Sequence, residues 1–220
     1  MNDRVKAIIL KQSDYKDNDA LIVAYTDAYG LLSFVARGIR KMTSRNAGSL
    51  YPFSQSELLF DYREDRDLFA LHSAHLLYAA NRIPSDLRKS AVAGVIAESA
   101  VLLGKEMKED QEVNQEMYLL LEKMIKEMNE GEDDMLVLSF YLARLLDMMG
   151  IAPEVDECAL CGSKKITGIS VDAGGFVCAS CGGNVREDLH LLRQFRLVNK
   201  ARAENYDILK QFSPYSYGIA

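Results

Sequence analysis

The 220-residue sequence predicts an α+β chain: a small N-terminal barrel of five strands, then an α-helical domain with an inserted four-cysteine zinc ribbon. Three observations predict it. Up to about residue 75 the chain carries short runs rich in β-branched, aromatic and leucine residues, broken by turn signals. Beyond Pro84 the apolar spacing lengthens to about 3.6 residues, the helical period. Inside that helical part, Cys158, Cys161, Cys178 and Cys181 form two CxxC pairs.

The strands are expected at Val5–Lys11, Leu21–Thr26, Leu31–Arg37, Glu57–Tyr62 and Asp67–His72. Asp27-Ala28-Tyr29-Gly30 suits a tight hairpin, because Gly30 tolerates positive φ. Arg63-Glu64-Asp65-Arg66 reads as a charged turn between two further strands. Five short strands in about 70 residues fit a closed barrel, for which the OB-fold is the commonest choice. The long connection from Gly38 to Ser56 falls where such a barrel changes direction. This sets a first domain at residues 1–80 with a nucleic-acid-binding fold, and a second at residues 81–220.

In the second domain Leu87 to Leu103 forms one helical run. Val113, Met117, Leu120, Leu121, Met124 and Met128 make an apolar stripe on the next, which Gly131 ends. Glu132-Asp133-Asp134 opens a third helix with negative charge where the helix dipole favours it. That helix runs to Met149, stops at Gly150 with Pro153 following, and is apolar nearly all round, so it should be central and buried. Met135, Met148 and Met149 read with the other helical methionines as core filler. Leu189 to Lys210 returns to a helical pattern, which makes the cysteine segment, at about 154–186, an insertion between helices. Phe212 to Ala220 reads as the start of another element with no stop signal, and a further C-terminal helix is expected.

C-x2-C-x16-C-x2-C places four thiols on two turns whose tips can meet, the arrangement that closes a tetrahedral structural zinc site with one ion. Gly162 follows the first pair and Gly182-Gly183 the second, room for tight knuckles. Ile169-Ser170-Val171 and Gly175-Phe176-Val177 can pair as a ribbon about Asp172-Ala173-Gly174. The competing reading is a redox CxxC. That motif is a single pair beside a βαβ unit, and no such unit is seen.

The net charge of −6 argues against a uniformly basic nucleic-acid binder, but its distribution is uneven. Residues 1–50 carry eight basic and five acidic side chains. No acid lies between Asp27 and Glu57, where Arg37, Arg40, Lys41 and Arg45 fall. These four are the candidate nucleic-acid contacts, at the point where the third strand leaves the barrel. Tyr15, Tyr25, Tyr29 and Phe34 lie close by, either as stacking platforms or as core. His72 and His75, at i and i+3, would point to opposite faces of a strand, which argues against shared metal ligation. Residues 95–135 hold twelve acids against four lysines, a solvated face or a docking surface for a basic partner.

Several classes are excluded. There is no GxxxxGK[ST], no GxGxxG opening a βαβ unit, no serine elbow and no HExxH, so no catalytic constellation is legible and no enzyme is expected. The longest near-apolar stretch, Met135 to Met149, carries Arg144 and Asp147 and is too short to span a membrane. The first ten residues hold Asp3, Arg4 and Lys6 around a short AIIL, which is not a signal-peptide pattern, and a cytoplasmic location is expected.

In this order the parts resemble a known family. The matching stretches are Ala7-Ile8-Ile9-Leu10, Tyr15, Asp19, Tyr29-Gly30-Leu31-Leu32, Ala36-Arg37-Gly38-Ile39-Arg40-Lys41, Leu50-Tyr51-Pro52-Phe53 and Gly150-Ile151-Ala152-Pro153, followed by the four cysteines. The chain is similar to the bacterial RecO family of DNA repair proteins over almost its whole length. The resemblance implies an OB-fold joined to a helical domain with a zinc module. It also implies a nucleoid-associated recombination mediator that binds single- and double-stranded DNA and anneals complementary strands without ATP. Its implied partners are RecR, single-strand DNA-binding protein and, indirectly, RecA. The family's barrel contacts carry over to Arg37, Arg40 and Lys41, and less directly to Arg45. The alternative is a zinc-containing interaction adaptor that never touches nucleic acid.

Overall fold

Alternation of inward and outward side chains builds the first part of the chain. In the computed structural model, which describes residues 3–41, 44, 46–107, 110–131, 133–182 and 185–211, five strands close into a barrel. They are β1 (Asp3–Tyr15), β2 (Asp19–Thr26), β3 (Gly30–Ala36), β4 (Gln55–Phe60) and β5 (Leu68–Tyr78). The order around the barrel is β1-β2-β3-β5-β4, with β4 returning to β1. All neighbours are antiparallel except β3 and β5, which run parallel at Ser33–Val35 against Leu68–Ala70. This is the OB-fold. All five expected strands are present; β1 and β5 are longer than expected. The barrel interior is filled by Val5, Ala7, Ile9, Ile22, Ala24, Leu32, Phe34, Leu58, Phe60 and Phe69.

Two compact units divide the chain, Met1–Asp134 and Met135–Ala220. In the first, a short α1 (Arg82–Ser85) leads to α2 (Leu87–Glu106) and α3 (Gln111–Glu130). Asp86 caps α2 by accepting from the N–H groups of Arg88 and Lys89, and Asp110 caps α3 by accepting from Val113. Both helices lie against the barrel. That explains why β1 carries four consecutive buried residues, Ala7 to Leu10. Ala7 and Ile9 fill the barrel, while Leu10 packs outside it with Ala93, Ile96, Ala97, Leu121 and Ile125. Tyr25 is held at the same junction, its hydroxyl donating to Asn114 Oδ1 at 2.6 Å. Gly30 is required there twice over. Its φ is +63°, and a Cβ on it would lie 2.5 Å from Asn114 Oδ1.

The second unit contains α4 (Asp134–Met148) from Met135 onward, the ribbon strands β6 (Ile166–Ser170) and β7 (Gly175–Cys178), and the helices α5 (Ala179–Gly182), α6 (Leu189–Lys200) and α7 (Tyr206–Lys210). Gly150, at φ +70°, ends α4, as its position after the apolar run implied. The helix is largely buried, but Met135 and Leu142 on it and Met149 just after it are exposed, so Met135 and Met149 are not the core filler expected of them. Met117, Met124 and Met128 are core residues, as expected. The expected helix from Leu189 to Lys210 is broken: Ala201 is extended, at φ −67° and ψ 143°. Tertiary packing overrides the local helical pattern here. Past the break, Tyr206 is fully buried with its ring edge against Phe140, centroids 5.0 Å apart. The ribbon is anchored on α6 through Val155, Phe176 and Leu192, flanked by Ile166, Ile169 and Phe195. Glu132, Gly183 and the expected C-terminal element at 212–220 lie outside the described residues.

Candidate nucleic-acid interface and metal centre

The basic loop leaves β3 at Ala36 and is fixed at once. Arg37 is exposed, Gly38 takes φ +65°, and Ile39 turns back into the barrel core, 3 % exposed. The β1–β2 turn lies alongside. Asp19 Oδ1 accepts the Gly38 N–H at 2.8 Å, and the Asn18 carbonyl accepts the Arg40 N–H at 3.1 Å. Arg40 Nη1 reaches Asp14 Oδ2 at 3.0 Å. Between turn and loop is an open cavity of about 440 Å³ lined by Lys16, Asp17, Asn18, Asp19, Arg37, Gly38 and Lys41.

The four candidate cations thus separate. Arg37 and Lys41 line the cavity and make no ion pair among the described residues. Arg40 is paired with an acid at the side. Arg45 lies outside the described residues. Sequence reasoning missed Lys16, which joins Arg37 and Lys41 in the cavity wall from across the turn. Its signal was its place in the first hairpin of an OB barrel, whose β1–β2 loop borders the binding face. The neighbouring Asp14, Asp17 and Asp19 masked it. Lys16 holds φ +56°, unusual for a residue with a side chain, and its ammonium sits 5.2 Å from the Tyr15 ring centroid.

Of the four aromatic candidates, Tyr25 and Phe34 are buried and serve packing. Tyr29 stacks face to face on Tyr62, centroids 4.0 Å apart, and its hydroxyl donates to Asp3. Burial raises the Tyr29 hydroxyl above its ordinary pKa, and the Asp3 carboxylate adds to the rise. Tyr15 is exposed at the edge of the cavity's turn. Both histidines of β5 are exposed, and His72 pairs with Asp61 at 3.1 Å.

The four cysteines converge. Their sulfur atoms all lie within 4.8 Å of one another, and Cys161 and Cys178 are 3.6 Å apart. A tetrahedral ion bound at about 2.3 Å to four sulfurs spaces them by about 3.8 Å, so the set fits one metal ion with all four positions filled. Cys158 and Cys178 are buried, while Cys161 and Cys181 face solvent. Gly162, at φ +70°, turns the first knuckle, its N–H donating to the Cys158 carbonyl at 2.8 Å. In the second knuckle Gly182 is helical and is needed for space, since a Cβ would meet Val177 Cγ2 at 2.6 Å. Burial pushes the Cys158 thiol up, but the N–H groups of Cys178, Leu160 and Cys161 outweigh it and bring it down to about 6. Backbone donors aimed at sulfur favour the thiolate, which is the form that binds metal.

A barrel with a clamped basic loop, followed by helices and a four-thiol ribbon whose cysteines could hold a metal ion, defines a class of OB-fold proteins. The comparisons specify which. The family model for the N-terminal part of recombination protein O matches residues 1–80, and that for its C-terminal part matches residues 84–213. The chain belongs to the RecO family of DNA repair and recombination proteins. It is 27 % identical over 219 residues to the DNA repair protein RecO of Listeria monocytogenes serotype 4a, covering 95 % of this chain and 83 % of that one. It is 30 % identical over 180 residues to that of Thermoanaerobacter sp. X514, covering 81 % and 70 %. The protein of the same name from Halalkalibacterium halodurans is 24 % identical over 191 residues, covering 86 % and 72 %. Among the described residues no helix is long and apolar enough to cross a membrane.

Proposed function

We propose that this protein is a recombination mediator. It binds single- and double-stranded DNA on the barrel through Arg37, Lys41 and Lys16, with Arg40 and, on the family resemblance alone, Arg45 as further contacts. It anneals complementary strands without ATP and acts with RecR and single-strand DNA-binding protein to help load RecA onto coated strands. The observation that carries the reading is the cavity where Lys16, Arg37 and Lys41 meet on a backbone clamped by the β1–β2 turn. Annealing needs no catalytic group. Two strands repel through their phosphates, and a basic surface lowers that repulsion by releasing counterions. In this reading residues 1–80 handle nucleic acid and residues 81–220 form a helical partner-binding domain. One structural zinc ion is held by Cys158, Cys161, Cys178 and Cys181; it supplies folding energy to the ribbon and leaves no open coordination position. The protein works in the cytoplasm, at the nucleoid.

The test is annealing of two complementary labelled oligonucleotides with no ATP. Acceleration that salt abolishes is expected. A protein that neither anneals nor binds DNA at low salt would be an interaction adaptor, for which the acidic exposed residues of α3, Glu112 and Glu116, are the natural docking surface.

A further inference from the structure

An acid stands in the wall of a cavity read as a polyanion site. By charge alone Asp19 should repel phosphate, and removing it should tighten binding. Its geometry argues for the opposite role. Asp19 is the first residue of β2, and its Oδ1 holds the Gly38 N–H at 2.8 Å. Gly38 is in the left-handed region, at φ +65°, which glycine adopts without strain but is equally free to leave, so the hydrogen bonds on it decide the loop's course. On either side of Gly38 stand Arg37 and Ile39, and Ile39 is locked in the barrel core. The Lys41 N–H closes back on the Gly38 carbonyl at 3.2 Å. Asp19 holds the Arg37–Gly38 peptide and the Lys41 N–H holds the Gly38–Ile39 peptide, so the grip on Gly38 bears on the direction of both Arg37 and Lys41.

We propose that Asp19 is a positioning residue of the nucleic-acid site: through the Gly38 N–H it shapes the loop so that Arg37 and Lys41 converge on one backbone phosphate. This rests on the nucleic-acid reading above. Charge and geometry have opposite signs at this position, so two conservative variants separate them. Asp19→Asn keeps an oxygen acceptor in place and removes the charge. Asp19→Glu keeps the charge and displaces the carboxylate by one methylene, about 1.5 Å.

The experiment is fluorescence anisotropy of a labelled single-stranded oligonucleotide with the whole chain, over a series of salt concentrations. Asp19→Asn is expected to bind about twofold tighter than wild type, through loss of a repulsive charge. Asp19→Glu is expected to bind about five- to tenfold weaker, with the log–log salt slope reduced by about 1 as one phosphate contact is lost. Hydrogen exchange at the Gly38 amide gives a second readout: slow in wild type and Asp19→Asn, fast in Asp19→Glu. Wild-type affinity and slope in Asp19→Glu, or an Asp19→Asn that loses binding while its Gly38 amide stays protected, would overturn the inference while leaving the nucleic-acid reading of the wild type intact. A wild-type protein that binds no DNA at low salt overturns the nucleic-acid reading itself, and this inference with it.

Discussion

Arg40 lies against Asp14, Nη1 to Oδ2 at 3.0 Å, whereas Arg37, three residues earlier on the same loop, opens into the cavity that Lys16 and Lys41 share. Both members of the Arg40–Asp14 pair are well exposed, so the pair is weak and screened by salt. It nevertheless competes with any phosphate for the Arg40 guanidinium. Replacing Arg37, Lys41 or Lys16 by alanine should each weaken DNA binding about five- to tenfold at low salt and shrink the salt slope by about 1, equally for all sequences. Arg40→Ala should cost less, and Asp14→Ala should strengthen binding up to about fivefold by releasing Arg40. Titrations of these variants against one oligonucleotide test the ranking; an Arg40→Ala loss larger than that of Arg37→Ala would reverse the assignment.

Lys89 and Asp134 form an ion pair at 2.6 Å, each side chain only 5 % exposed. The same ammonium donates to the carbonyls of Met128 and Gly131, at 3.0 and 2.9 Å, so it also satisfies the open C-terminal end of α3. Asp134 is the first residue of α4, where negative charge is favoured. Lys89→Met leaves the buried Asp134 carboxylate with only the more distant Arg88 guanidinium, at 4.0 Å, and unpairs those carbonyls, and should destabilise the fold by about 3 kcal/mol. The double variant Lys89→Met with Asp134→Leu should recover much of that loss, because it removes the buried charge that lost its close partner. Urea unfolding of the two variants and the wild type measures the coupling. A double variant as unstable as the single would place the cost in the helix-end carbonyls.

The pattern of side chains explains which parts of this architecture were legible beforehand. The five strands were visible because inward residues such as Ile22, Ala24, Phe34 and Phe60 alternate with outward ones. The four cysteines were visible because metal spacing is local in sequence. What was not visible depended on contacts between distant segments. The Ala201 break has no glycine or proline to mark it; it follows from Tyr206 packing on Phe140 and from Arg202 pairing with Asp147. The division of labour between Arg37 and Arg40 depended on Asp14, more than twenty residues upstream of both. Lys16 was hidden because a turn of mixed charge looks like any solvated turn until its neighbour across the barrel is known.

The thiol cluster gives a prediction that separates structural metal from redox chemistry. The purified chain should carry one zinc ion, and its four thiols should resist a thiol reagent until a strong chelator is added. Cys158→Ser or Cys178→Ser, each removing a buried sulfur, should abolish zinc retention and expose the segment from about residue 154 to 186 to proteolysis. Elemental analysis and thiol titration read both. Two thiols that react freely with zinc still bound would favour the redox reading of one CxxC pair.

Acid should loosen the junction of β4 and α3 through Glu122. Gln55 Nε2 donates to Glu122 Oε1 at 2.6 Å and to the Tyr118 hydroxyl at 2.8 Å, and Lys126 reaches the same carboxylate at 3.1 Å. Burial pushes Glu122 up, but the Gln55 amide and the Lys126 ammonium outweigh it and hold the carboxyl below its ordinary pKa. Burial acts unopposed by any such cation at Tyr118, whose hydroxyl rises to about 12 and stays protonated. A carboxyl whose pKa is depressed in the folded state stabilises the fold fully above its unfolded value. That stabilisation is lost as pH falls toward and through the folded value, because the unfolded chain binds a proton that the folded state excludes. Glu122→Gln removes this proton uptake while an oxygen acceptor remains for Gln55. The variant should therefore lose stability less steeply than wild type as the solution is acidified, and urea midpoints followed from neutral into the acid range will show the difference. Identical slopes would assign the acid sensitivity to other carboxylates.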